Sequence, residues 1–128
     1  NAPNTIITPH LGASTEEAED NCAEMAVKEL RDFIENGNIS HSVNYPNMNN
    51  GILRDAARLC ICHRNVKDMI RRFTRILSDE GFNIANMANK SRGDFAYTVI
   101  DLESPVNEQV MTKIEATDGV LKARVITR

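Results

Sequence analysis

The stretch from Leu59 to Ile84 constrains the fold of this chain more than any other. It opens with an apolar run that lacks helical spacing, which is typical of a short buried strand. From Met69 to Leu77 apolar residues recur at the spacing of one helix face, and Gly81 follows where a helix should end. An extended pattern resumes at Phe82. The stretch therefore predicts a strand, a sharp turn, a helix and a second strand.

The residues that follow complete the pattern with a hairpin and a second helix. We predict strands over 59–64, 82–89, 95–102 and 120–127, and helices over 66–80 and 105–116. Ser104 and Pro105 should open the second helix, as N-cap and first helical residue, and the turn at 90–94 should join the middle strands. The predicted fold class is α+β: a ferredoxin-like βαββαβ domain, with two helices on one face of a four-stranded antiparallel sheet.

The first part of the chain predicts a strand, a loop and a long helix. Thr5–Ile7 is a short β-like run, and Ser14 with Glu17 forms a capping box that starts a helix ended by Gly37. Residues 1–45 contain no sheet on which these elements could pack. We therefore expect them to be a remnant of a larger α/β domain.

An Asn-rich stretch should separate the two parts. Residues 46–57 include Pro46 and Gly51 and predict a linker, with at most one short strand just before it, over 42–45. The second domain then occupies residues 58–128.

Composition excludes several classes of function. The net charge of −3 is spread along the 128 residues without a basic stripe, which disfavours nucleic-acid binding. No apolar run is long enough to cross a membrane. The three cysteines are an odd number, which favours a reduced, cytoplasmic protein. Cys60 and Cys62 lack a second Cys or His pair, so we predict no metal site and treat both as packed small apolar residues.

Three polar side chains flank the predicted strand–helix–strand unit. His63 and Asn65 lie at the turn that opens the helix, and Asn83 follows the helix end. A helix N-terminus with such donors and acceptors suits the carboxylate and ammonium of a free amino acid. Polar residues at strand ends are more often ordinary caps, and spacing alone leaves both interpretations open.

A resemblance to a known family enters with the block Thr-Pro-His-Leu-Gly-Ala-Ser-Thr at residues 8–15 and Val-Asn-Tyr-Pro at 43–46. Both resemble the D-2-hydroxyacid dehydrogenase family, in its phosphoglycerate dehydrogenase branch. The resemblance implies that His10 is the catalytic acid/base and that Gly12 lies near the nicotinamide of NAD. The Gly-rich dinucleotide fingerprint and the partner Glu of that family do not occur in these 128 residues. We therefore expect both residues to be vestigial, and the chain to be inactive alone and to bind no cofactor.

Residues 58–128 resemble the ACT domain, a regulatory module of amino-acid metabolism. His63-Arg64-Asn65 and Asn83 match the family's His-x-Asn and Asn positions, which bind L-serine where two such domains pair side by side. The resemblance implies a homodimer that binds L-serine or a similar amino acid, within a parent enzyme that is tetrameric and oxidises 3-phosphoglycerate with NAD. The implied effector-binding residues are His63, Asn65, Val66, Lys67, Asp68, Met69, Asn83 and Ile84.

The turn departs from the family at one place, where Val66-Lys67-Asp68 replaces the usual Pro-Gly. If Asn65 is the N-cap, Asp68 falls at the third helical position. There its carboxylate would satisfy the backbone donors that a ligand carboxylate needs, and would repel that ligand. Two hypotheses follow: a serine-sensing regulatory domain, or a degenerate ACT domain that serves only oligomer assembly.

Overall fold

The computed structural model describes residues 3–128; residues 1 and 2, the start of the predicted 1–45 segment, lie outside it. Seven helices and strands follow one another in this described part of the chain. They are α1 (Glu16–Asn36), β1 (Ala57–Arg64), α2 (Met69–Asp79), β2 (Ile84–Arg92), β3 (Phe95–Leu102), α3 (Glu108–Glu115) and β4 (Val120–Thr127).

The strands form one antiparallel sheet in the order β2-β3-β1-β4. β1 pairs with both β3 and β4, and β2 pairs only with β3, so that β2 and β4 are the edges. β1 and β2 are both antiparallel to β3 and therefore run in the same direction. This is the predicted α+β, ferredoxin-like βαββαβ fold, which is confirmed.

One face of the sheet carries α2 and α3 and holds the larger core. Alternate strand residues such as Leu59, Ile61 and Ile100 are fully buried there against Phe73 of α2 and Ile114 of α3. Strand alternation and the helical stripe meet at this interface, which is why the sequence predicts it well.

The opposite face is covered by the end of α1 and by residues 37–53, which we call the connector. Its Ile39 and Met48 pair as an isolated bridge and lie in a second buried cluster with Cys60, Tyr97 and Val99. Cys60 is thus a packed apolar residue, as predicted. The predicted strand over 42–45 is wrong, and the stretch predicted as a linker is docked on the sheet because its apolar side chains fill that face.

Arg58 fastens the connector to the sheet. Its side chain is buried and donates to both carboxylate oxygens of Asp101, at 2.6 and 2.9 Å. Its remaining N–H groups donate to the carbonyls of Asn36, Gly51 and Asn50 at 2.7–3.2 Å. The five guanidinium donors are therefore all used, and one side chain joins β1, β3, α1 and the connector.

The end of α1 fits closely against β1 and β3. Gly37 ends the helix in the left-handed conformation (φ 73°), as predicted. A Cβ added there would lie 2.5 Å from Cys60 Sγ, and the Tyr97 hydroxyl donates to the Gly37 carbonyl at 2.8 Å. Position 37 therefore requires glycine for two reasons: the backbone is in the left-handed conformation, and a Cβ would collide with Cys60.

The N-terminal predictions need two corrections. Residues 5–7 are exposed coil and not a strand, because no neighbouring strand pairs with them in the described part of the chain. The N-cap of α1 is Thr15 and not Ser14: the Ala18 N–H donates to Thr15 Oγ1 at 3.2 Å. Both residues offer a hydroxyl, and the sequence could not distinguish them.

The helices on the core face are shorter than predicted. α2 begins at Met69 and not at residue 66, and α3 begins after Asn107, whose side chain accepts the Val110 N–H, and not at Ser104. The hairpin turn is also tighter, with only residues 93 and 94 between β2 and β3. No helix within residues 3–128 is long and apolar enough to cross a membrane.

Candidate functional site

The β1–α2 turn, residues 64–68, is held by the two neighbouring turns of the same sheet end. The Arg64 N–H donates to the carbonyl of Gly119 in the α3–β4 turn at 2.7 Å, and the Asn65 N–H donates to Asp94 in the hairpin at 2.9 Å. The Val66 N–H folds back to the Arg64 carbonyl at 2.9 Å, which makes a γ-turn centred on Asn65.

Asn65 sits at the tip of this γ-turn and is exposed. Its Nδ2 donates to the Gly93 carbonyl at 3.0 Å, which fixes the direction of the amide. Its Oδ1 accepts no hydrogen bond from residues 3–128 and is open to a ligand donor. Val66 and Lys67 follow, both exposed.

Asp68 does not take the predicted third helical position. It is itself the N-cap residue, held at φ 75°, and its side chain caps no backbone N–H. Its carboxylate accepts both hydrogen bonds of Arg71 at 2.6 Å and lies 3.8 Å from Arg72. The Arg71 guanidinium holds the pKa of this carboxyl below its usual range. The capping-box prediction is wrong because the helix begins one turn later than Asn65 would require.

This arrangement leaves the N-terminus of α2 with free donors. The backbone N–H groups of Met69, Ile70 and Arg71 find no acceptor within residues 3–128, whereas the Arg72 N–H bonds the Asp68 carbonyl at 3.1 Å. These groups carry the positive end of the helix dipole and suit a carboxylate. Met69 itself has its side chain in the core and supplies only backbone to the site.

His63 lies under the turn and is 2% exposed. Its Nδ1 is 2.8 Å from the Arg64 carbonyl and its Nε2 is 2.8 Å from Thr98 Oγ1, while its ring packs edge-on against Phe73. Burial lowers the pKa of the imidazole, so that the neutral ring is favoured. Both ring nitrogens are engaged within the chain.

Asn83 and its neighbour Ile84 lie far from the predicted site residues within 63–69. Asn83 precedes β2, whereas Asn65 follows β1, and these two strands run in the same direction. The nine residues of β2 separate the two ends of the sheet by about 30 Å. Asn83 Nδ2 donates to the Glu103 carboxylate at 2.7 Å. The side chain of Ile84 packs against the larger core, on the face of the sheet that carries α2 and α3. A single chain therefore does not bring Asn83 to Asn65.

The two residues assigned to the dehydrogenase block lie on an exposed coil. His10 is exposed, and no atom would come within 4 Å of a Cβ at Gly12. These two residues therefore form no cradle for NAD in the described part of the chain. Nor does any group of three or more metal-ligating side chains occur within residues 3–128.

The sequence did not identify two polar residues near the site, Thr98 and Asn89. Thr98 is fully buried beside His63, and its hydroxyl contacts Asn89 on the edge strand β2 at 2.9 Å. The available signal was strand alternation: a threonine inside an otherwise apolar buried strand needs a polar partner.

Several curated proteins are similar in sequence to nearly the whole chain. No protein-family model matches the chain. The chain is 31% identical over 124 residues to D-3-phosphoglycerate dehydrogenase of Dictyostelium discoideum, which covers 97% of this chain and 30% of that protein. For D-3-phosphoglycerate dehydrogenase of Escherichia coli the identity is 30% over 125 residues, covering 96% and 30%. For D-3-phosphoglycerate dehydrogenase 2 of Saccharomyces cerevisiae it is 33% over 132 residues, covering 97% and 28%.

The chain matches the C-terminal part of proteins named D-3-phosphoglycerate dehydrogenase. It spans about 30% of the length of the curated relatives it matches, and corresponds to their C-terminal part with its ACT domain.

Solved structures are similar to a little over half of the chain. The ACT domain from GTP pyrophosphokinase of Chlorobium tepidum has a TM-score of 0.49 at 15% identity, covering 56% of this chain and 97% of that one. The regulatory subunit of aspartate kinase from Thermus thermophilus has a TM-score of 0.47 at 10% identity, covering 56% and 50%.

Proposed function

We propose that this phosphoglycerate dehydrogenase segment is an amino-acid-sensing regulatory domain, with L-serine as its effector. The observation that carries the proposal is the open N-terminus of α2 beside the exposed Asn65, with the Asp68 carboxylate directed to Arg71 and Arg72. A ligand carboxylate would accept the free N–H groups of the first helical turn. The ligand ammonium would donate to Asn65 Oδ1.

The position of Asn83 favours a site shared between two chains. β2 is an edge strand with one side unpaired, and such edges pair readily with a second copy. Antiparallel pairing of β2 with its copy would bring the start of one strand to the end of the other. The copy's Asn83 would then lie at the Gly93 end, where Asn65 is bonded to the Gly93 carbonyl. The proposal thus includes a homodimer through the ACT domains.

The activity of the whole protein is part of the same proposal. We infer from the names of its relatives that the intact protein oxidises 3-phosphoglycerate, with NAD bound by residues outside this chain. Serine bound to the ACT domains of a tetramer would regulate that activity by stabilising one subunit arrangement. Three free cysteines agree with a reduced, cytoplasmic setting.

Calorimetric titration with L-serine tests the proposal, and two variants sharpen it. Asn65→Ala and Asn83→Ala should each abolish the heat of binding. If the site is shared between chains, mixing and re-equilibrating the two variants should restore binding in the mixed dimers. Each mixed dimer then holds one site in which both asparagines are intact.

Asn86→Ala is the matched control. Asn86 lies on β2, the strand proposed to pair with the second copy. It pairs with Asp101 of β3, and its side chain faces the connector side of the sheet. The Asn86→Ala variant should bind serine like the wild type. Absence of heat at millimolar serine, with a folded dimer verified by sedimentation, would rule out the serine-sensing function.

The alternative function is oligomer assembly without an effector. Two observations favour this alternative. Both ring nitrogens of His63 form hydrogen bonds within the chain, and Asp68 places a negative charge in the β1–α2 turn, next to the proposed ligand site. It predicts a stable dimer whose melting temperature does not respond to L-serine, glycine or other small amino acids.

A further inference from the structure

A chain of hydrogen bonds crosses the sheet from the β1–α2 turn to the edge strand. It runs from the Arg64 carbonyl through His63 Nδ1 and Nε2 to Thr98 Oγ1 and then to the Asn89 amide, with distances of 2.8, 2.8 and 2.9 Å. His63 and Thr98 are buried, while Asn89 is exposed on β2. Three adjacent strands contribute one side chain each.

The positions of the protons along this chain are constrained. The Arg64 carbonyl can only accept, so Nδ1 must carry a proton. If the Thr98 hydroxyl donated to Asn89 Oδ1, Nε2 would also have to donate, and the buried ring would be a cation without a counter-ion. A half-turn of the amide exchanges its oxygen and nitrogen without moving the other atoms. Asn89 Nδ2 then donates to Thr98, Thr98 donates to Nε2, and the neutral ring donates through Nδ1 to Arg64.

We propose that Thr98 and Asn89 are positioning residues that fix His63 in its Nδ1-protonated neutral form, and that His63 in this form holds the γ-turn that presents Asn65. The role of Asn65 as a ligand contact rests on the proposed function. The hydrogen-bond chain itself does not.

The mechanical consequence lies at the Arg64 carbonyl. That oxygen accepts the Val66 N–H at 2.9 Å and His63 Nδ1 at 2.8 Å, so both of its lone pairs are used. Loss of the His63 bond would free the carbonyl to rotate and loosen the γ-turn. A change at the β2 edge would thereby be conveyed to the tip of the turn through the side chains of Asn89, Thr98 and His63.

Long-range proton–nitrogen NMR of the His63 ring, at mildly alkaline pH and without ligand, tests the proton positions. We expect Nδ1 to be protonated and Nε2 to be unprotonated in the wild type. Asn89→Asp replaces the donor by an acceptor, so Thr98 must turn its hydroxyl to the new carboxylate and Nε2 must gain a proton. Asn86→Asp makes the same charge change on the opposite face of the same strand, and should leave the His63 signals in place. A protonated Nε2 in the wild type, or an unchanged ring in Asn89→Asp, would overturn the proposal.

Serine binding tests the mechanical part. Thr98→Val keeps the shape of the side chain but removes the hydroxyl, and should weaken serine binding about tenfold. Thr98→Ser restores the hydroxyl and should recover most of the affinity, provided that both variants give the wild-type circular dichroism spectrum. Unchanged affinity in a folded Thr98→Val would refute the positioning role. If the wild type binds no serine, the proposed function fails, while the NMR result still decides whether the chain of bonds exists.

Discussion

Asp68 occupies a backbone position that glycine adopts more readily. Its φ of 75° lies in the left-handed region, and its carboxylate is held on the solvent side by Arg71. We expect Asp68→Gly to relieve the backbone strain and to remove a negative charge near the ligand carboxylate. It should bind serine about two- to tenfold more tightly than the wild type.

Asp68→Ala separates the two effects, because it removes the charge but keeps a Cβ at positive φ. The Gly variant should melt several degrees above the Ala variant in a thermal scan, and both should show the gain in serine affinity. Equal melting temperatures would contradict the strain argument, and unchanged affinity in both would contradict the electrostatic one.

His63 makes stability depend on pH. Its pKa in the folded chain is lowered from 6.5 by burial, so the unfolded chain binds a proton first as the pH falls. The free energy of unfolding contributed by this group is therefore fully present above pH 6.5, and is lost as the pH falls from there to the folded pKa. Urea unfolding across this window should show the loss. A His63→Asn variant should show a shallower slope, and an equal slope would assign the effect to other groups.

At the scale of elements, the connector depends on one arginine. Arg58→Met would leave Asp101 buried without its partner and would free the carbonyls of Asn36, Asn50 and Gly51. We expect a loss of about 3–5 kcal/mol in the free energy of unfolding by urea, with faster proteolysis within residues 37–53. Adding Asp101→Leu should recover much of that loss, because no buried charge then remains.

Arg54→Met is the control for the arginine prediction. Arg54 is exposed close to the same connector segment, and its replacement should change the free energy of unfolding by no more than about 0.5 kcal/mol. A similar loss in both variants would mean that charge in general, and not the buried ion pair, stabilises the connector.

The same elements show what a sequence can and cannot predict. The core between the sheet and helices α2 and α3 can be predicted from hydrophobic periodicity alone. Leu59 belongs to a strand pattern and Phe73 to a helical stripe, and these two apolar surfaces can be buried only against each other. The sequence of the connector shows no hydrophobic periodicity. Its docking on the sheet depends on contacts between residues that are distant in sequence, such as Met48 with Cys60. In the turn, residue types identified Asn65 as a candidate. The capping role of Asp68 depended on where α2 begins, which local propensity does not determine.

For the whole molecule, the separation between Asn65 and Asn83 makes a prediction about assembly. If each serine contacts both residues from different chains, then serine binds the dimer and not the monomer. Dimerisation and binding must therefore be linked. At serine concentrations about 100 times its dissociation constant, each occupied site should tighten dimerisation about 100-fold. Sedimentation velocity over a dilution series, with and without serine, measures this shift. Asn83→Ala should dimerise without responding to serine. Serine that binds the wild type but leaves its sedimentation unchanged would place the whole site within one chain, and the β2 edge would then have no part in effector binding.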